Sequence, residues 1–298
     1  MVRILVLVPP FCVLLALGLL AKDGPLPDRE TLYKMVRENL AKSERVAYLY
    51  TYKEHRTDVD INPFGRVGTG GTRVFEVYPS PNPELTYRRL VVRDGAPLDE
   101  RDVAEQDREY EVRVTDVQQR LAKRSDEERQ RREDDAATDR RRSQTMIEDV
   151  VDTLQFKLEG RTEHSGVTAI VVSFAPRPGA QAKTREGRMA QKFAGTVWIH
   201  EAASEVMHVE ATSIKSISFG LGLVARLNEG VMATVTRQPV EGGVWMPVAV
   251  TMSGRGRAAL VRRFVLNHVA RWLDYRRLPG DSVAPFLENT QIPGPQFQ

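Results

Sequence analysis

Five histidines and a single cysteine are the residues of this chain best suited to metal or nucleophilic chemistry, and their spacing points away from both. His200-Glu201-Ala202-Ala203-Ser204 begins like the two-histidine zinc-protease pattern, then carries serine where the second histidine would stand. Two histidines one helical turn apart set both nitrogens on one metal, whereas this segment reads as the end of a strand. His200 and His208 flank a hairpin. With Ala202-Ala203 as its turn, Glu205 pairs with His200, and His208 is expected on the opposite face. His55, His164 and His268 are scattered and read as surface or structural residues. Cys12 sits inside an apolar N-terminal run, so no thiol follows it for catalysis, a disulfide or cysteine ligation of zinc.

Gly65-Arg66-Val67-Gly68-Thr69-Gly70-Gly71-Thr72 is rich in glycine but lacks lysine and precedes a strand. Phosphates seat where loop amides meet a helix N-terminus, so residues 62–71 read as a flexible hairpin loop. Ser253-Gly254-Arg255-Gly256-Arg257 lacks the strand–turn–helix setting of a nucleophile elbow and reads as a turn flanked by arginines. The carboxylates of 99–149 read as solvated charges, because an acid–base pair needs burial to shift one member. The expectation is therefore a protein that is not an enzyme, with no catalytic residue, no metal and no cofactor. What remains is apolar. Tyr48, Tyr50, Tyr52, Trp198, Phe219, Leu221, Trp245 and Phe264 are expected to line a ligand-binding groove, with the loop around Phe219 and Leu221 at its mouth.

These residues need elements to hold them. The chain has 298 residues, 41% hydrophobic and 28% charged, a balance that supports a packed core. A formal net charge of +3 gives no reason for a nucleic-acid partner. Arg3 followed by an apolar run to Ala21 fits a secretory signal peptide over 1–21, with a retained membrane anchor as the alternative. A periplasmic or secreted location follows. Asp28 is a good N-cap for a helix with Leu32, Met35, Val36 and Leu40 on one face. Residues 46–54 then alternate as a strand, with Val46, Tyr48, Tyr50 and Tyr52 pointing one way.

Further strands are expected at 73–78, 84–93, 156–164, 167–174, 193–200, 205–211, 231–235, 244–252 and 260–275, with a polar loop over 179–190. The block 99–153 is dense in charge and places Tyr110, Val114, Val117 and Leu121 on one helical face. It reads as a solvated helical hairpin inserted into the domain. The fold class is α+β: a curved antiparallel sheet, in the form of a half-barrel, wrapped on helices. One domain is expected over 28–278, followed by a polar tail over 279–298.

Phe193-Ala-Gly-Thr-Val-Trp-Ile-His200, Val206-Met-His-Val-Glu210, Ser218-Phe-Gly-Leu-Gly-Leu-Val-Ala-Arg-Leu227, Gly243-Val-Trp-Met-Pro247 and Asp274-Tyr-Arg-Arg277 carry a resemblance. Together they resemble the LolA-like, outer-membrane lipoprotein-sorting-like group of exported bacterial proteins. The resemblance implies a half-barrel that holds acyl chains against an apolar face. The charged block 99–153 is longer than such carriers need, and no arginine stands out as the one that couples lid opening. The expected function is non-catalytic periplasmic binding of a lipid or lipoprotein acyl chain by a monomer. The alternative is an envelope interaction or sensor domain whose groove is filled by its own side chains, with the charged arm docking a partner protein.

Overall fold

A computed structural model describes residues 24–61, 67–123, 145, 148–219, 225–259 and 261–278. The expected signal peptide, the middle of the charged block, most of the apolar loop and the C-terminal tail lie outside the described residues.

The described chain folds as one open antiparallel sheet of 13 strands with a few helices. The strands are β1 (Tyr50–Ile61), β2 (Val67–Tyr78), β3 (Tyr87–Arg93), β4 (Ala96–Pro97), β5 (Leu154–His164), β6 (Val167–Pro176) and β7 (Phe193–His200). They continue as β8 (Glu205–Ser213), β9 (Ile217–Phe219), β10 (Ala225–Leu227), β11 (Met232–Pro239), β12 (Trp245–Ala258) and β13 (Arg262–Arg277). Their order is β4-β3-β2-β1-β13-β12-β11-β8-β7-β6-β5, and β9 and β10 branch off beside β12. The last strand, β13, thus lies between β1 and β12 and joins the N-terminal strands to the meander.

The period-two pattern gives the sheet two unlike faces. On one face Leu158, Val172, Val197, Val209, Val235, Val250 and Ala270 stand in direct cross-strand pairs from β5 to β13. On the other, Thr196, Glu210, Thr234 and Thr251 form the matching row, with the last two hydroxyls 2.7 Å apart.

Helix α1 (Arg29–Val46) is capped by Asp28, whose carboxylate accepts from the Thr31 amide at 2.9 Å. It seats Leu32 against Ile170, Val172 and Ile199, with Tyr33 and Val36 beside them. Met35 and Leu40, expected on the same buried face, remain 44% and 38% exposed. The helix instead meets the β7–β8 hairpin through Asn39, whose Nδ2 donates to the Ala203 and Ser204 carbonyls at 3.0 and 3.1 Å.

Helix α2 (Glu100–Ala122) buries Tyr110 and Val117 of the expected face. The Tyr110 ring stacks on Tyr87 at 4.1 Å, and its hydroxyl donates to the Leu85 carbonyl. Burial pushes the Tyr110 phenol up to about 12. The same helix closes a sheet edge. β4 is two residues long, so most of β3 has no neighbour on its outer side. There the Gln106 amide takes the place of a strand: its Oε1 accepts from Leu90 N at 3.0 Å and its Nε2 donates to Leu90 O at 3.2 Å.

Four local expectations are corrected. Residues 47–49 form a 3₁₀ turn, because the end of α1 tightens before β1 begins at Tyr50, so Tyr48 is not on a strand. Residues 67–71 are the start of β2; a Cβ at Gly71 would strike the Asp94 carboxylate, which instead accepts from Thr72 N at 2.8 Å. Ser253–Arg257 lies within β12, where the Phe264 ring fills the space beside Gly256, and the reversal comes later, at Ala259 with φ 45°. Finally, 179–190 contains a short helix, α3 (Arg185–Ala190), capped by Thr184.

Asp149 secures that last turn. Its carboxylate is buried and accepts from the Lys183 amide and from the Thr184 amide and hydroxyl, at 3.0, 2.7 and 2.6 Å. These hydrogen bonds, the Lys183 amide first, hold its carboxyl below the ordinary range. A carboxyl lowered on folding contributes stability above its unfolded pKa and loses it as pH falls through the folded value. Asp149→Asn is therefore expected to lower the Tm at neutral pH, with the gap to the wild type closing below about pH 4, as thermal unfolding across pH will show.

Candidate functional site

Two sealed clusters flank the apolar face of the central strands. One is the α1 cluster of Leu32, Ile170, Val172 and Ile199. The other lies where β9 and β10 join β12: Ile217, Ala225, Leu227, Val231, Ala258, Phe264 and Leu266, with Met189, Phe193 and Met252 packed against them. Between them run two cross-strand rows. The first is Val197, Val209, Val235 and Val250; the second is Gly195, Ala211, Ala233 and Met252. Every one of these eight residues is only half-buried. This trough is lined by apolar side chains, small at Ala211 and Ala233, and at Gly195 the β8 backbone closes in, with Glu210 O where a Cβ would stand. The valine row continues through Ala270 to Arg56 on β1. There the character changes. Arg56 and Arg88 lie over the Phe75 ring at 4.8 and 5.0 Å, and the Glu54 carboxylate accepts from Arg88 Nη2 at 2.7 Å.

Of the eight residues expected to line a groove, the six whose side chains are described do not come together. Tyr50 is 1% exposed and donates its hydroxyl to the Glu241 carbonyl at 2.8 Å, so it is a core strut. Tyr52 is half-buried beside Tyr275, ring centres 5.3 Å apart, with burial raising both phenols. Tyr48 sits in the turn after α1. Phe264 is buried inside the β9–β10 cluster. Trp198 follows and precedes residues of the trough face, so alternation turns it to the other side, where Trp245 joins it with Ala169 and Met207. Leu221 and the Phe219 side chain lie outside the described residues.

That other side corrects the histidine reading as well. Ile199 pairs with Val206 and Trp198 with His208, which leaves Met207 as an extra residue in β8. The bulge returns His208 to the face of Trp198 and His200. His164, Trp198 and His208 form a triangle of rings 5.3–5.4 Å apart. His208 is held by Thr236 Oγ1 at 3.0 Å and Glu210 Oε1 at 3.2 Å, while His200 accepts from the Ala203 amide and packs on Trp245. Among the described residues no three metal-ligating side chains converge.

The two small-residue rows are what the sequence reading missed. Their signal was the alternation itself: the valines, alanines and glycine sat on the covered side of each strand. Only the register, bulges included, shows that they align. The arrangement offers apolar area.

No family model matches the chain, and no curated protein matches it. Among solved structures it is similar to a candidate outer membrane lipoprotein-sorting protein domain from Vibrio parahaemolyticus, at 10% identity and TM-score 0.32, covering 88% of this chain and 98% of that one. It is also similar to a DUF1329 family protein from Desulfovibrio piger, at 11% identity and TM-score 0.30, covering 86% and 96%. A LolA superfamily protein from Nitrosomonas europaea matches at 10% identity and TM-score 0.24, covering 82% and 96%. The lipoprotein-sorting and LolA resemblance of the sequence motifs thus recurs among solved structures.

Proposed function

We propose that this chain binds the acyl chain of a lipid or lipoprotein in the trough, without catalysis, in the periplasm after export by residues 1–21. The observation that carries the reading is the half-covered double row of Val197, Val209, Val235 and Val250 beside Gly195, Ala211 and Ala233, between two clusters that are closed. Folding covers apolar surface wherever it has side chains to spare. Here a continuous strip is left only partly covered over four adjacent strands, about 14 Å at the usual strand spacing. Each methylene laid on it contributes about 0.8 kcal/mol, so a long chain binds well with no polar contact. In this reading the sheet curves as a half-barrel around its ligand, and the charged helical arm stands clear of it.

A second reading is an envelope protein partner at that arm. It is favoured by α2, which buries Tyr110 and Val117 yet leaves Val112 61% exposed. The test is native mass spectrometry and lipid extraction of gently purified protein, followed by titration with a fluorescent fatty-acid probe. Co-purified acyl lipid and saturable probe binding are expected. Protein free of lipid that also ignores the probe overturns the carrier reading and leaves the interaction domain.

A further inference from the structure

Beyond the trough, on the threonine-rich face, three arginines stand directly opposite one another on adjacent strands. Arg226 of β10 pairs with Arg257 of β12, which pairs with Arg263 of β13. Arg255, two residues before Arg257 on the same face, is opposite Val265. Like charges set directly across a sheet destabilise it, and carboxylates usually relieve them. Among the described residues none of Arg226, Arg255, Arg257 and Arg263 has a carboxylate partner; Arg226 donates to the neutral Ser216 hydroxyl at 2.9 and 3.1 Å. The carboxylate nearest in sequence, Glu229, is exposed. Arg255, Arg257 and Arg263, with Asn228, line one surface cavity of about 490 Å³. Val265 also lines it, and further exposed apolar residues lie on the neighbouring strand ends. Val265 is 53% exposed, Val261 at the hairpin end 81%, and Met232 on the same face 58%.

We propose that this end of the β12–β13 hairpin docks on an anionic phospholipid surface, with a lipid phosphate in the arginine cavity and Val261 and Val265 in the interfacial layer. Charge alone would suit any polyanion. Exposed valines beside the arginines suit a surface that is anionic at the headgroups and apolar just beneath. The inference stands on the arginine row and does not depend on what fills the trough.

The test is co-sedimentation of the full chain with mixed phosphatidylglycerol–phosphatidylcholine vesicles and with phosphatidylcholine vesicles alone. The N-terminal run, flanked by Arg3 and Lys22, adds the same anionic preference to wild type and variant, so the readout is the preference that the variant loses. Preferential binding to the mixed vesicles is expected, weakening as salt rises. The pair Arg257→Ser and Arg263→Ser should cut that preference by about tenfold or more. Each single variant should keep or raise the Tm, because it relieves repulsion, so lost binding is not lost fold. Equal binding to both vesicle types, or a preference unchanged in the double variant, overturns the proposal. So does capture of duplex DNA by the wild type without capture of the mixed vesicles.

Discussion

Val209→Asp is expected to empty the trough. Val209 sits mid-row, paired with Val197 on one side and Val235 on the other, and is half-buried with them. A carboxylate there stays hydrated and lifts the ligand off the strip, removing two or three methylenes from contact. At about 0.8 kcal/mol each the loss is about 2 kcal/mol, or roughly 30-fold in affinity. The site is partly open to water, so the variant keeps the fold, and circular dichroism will report it. Ala233→Trp reaches the same end by filling the trough instead of charging it. Thr234→Asp, one residue along on the opposite face, is the control and leaves probe binding unchanged. Wild-type affinity in both Val209→Asp and Ala233→Trp would place any ligand elsewhere.

Arg237→Ala carries the largest expected loss of stability. The Arg237 guanidinium meets the Glu205 carboxylate at 3.0 Å, with side-chain exposures of only 9% and 11%. It also donates to the Trp245 carbonyl at 2.8 Å. Burial raises the Glu205 carboxyl, and Arg237 opposes that rise. Removing the arginine strands a buried carboxylate, which costs about 3–5 kcal/mol and lowers the Tm by roughly 10 °C for a domain of this size. The sign with pH is fixed. Ionised Glu205 is the destabilising form once Arg237 is gone, so the deficit is greatest at neutral pH and shrinks as the carboxyl takes up a proton. The paired change Glu205→Leu with Arg237→Met should recover most of the loss, because neither charge is then stranded. Thermal unfolding of the three proteins decides it.

Strands were the most legible part of this chain, because alternation survives in any register. Ser165-Gly166 marked the β5–β6 turn, and both residues do adopt positive φ, at 51° and 80°. Asp28 marked the start of α1 for a similar reason: a cap is local chemistry. The site was far less legible. Large aromatics drew attention as a groove lining, yet large side chains are the ones a core consumes, as Tyr50 and Phe264 show. Partly covered positions belong to small residues such as Ala211 and Ala233, whose alignment appears only once the strands are paired. One unmarked bulge at Met207 was enough to turn His208 to the other face, since a single extra residue reverses everything beyond it.

The Gln106 clasp bears on how copies of this molecule can associate. A β-sheet grows into a stack or fibre only if both its outermost strands accept a newcomer. Among the described residues the β3 side is stoppered at Leu90 by a side-chain amide, while β5 and the short β9 have no strand on their outer sides. Edge-to-edge union through the β3 side is thus blocked, which closes one route to polymerisation for a sheet this wide.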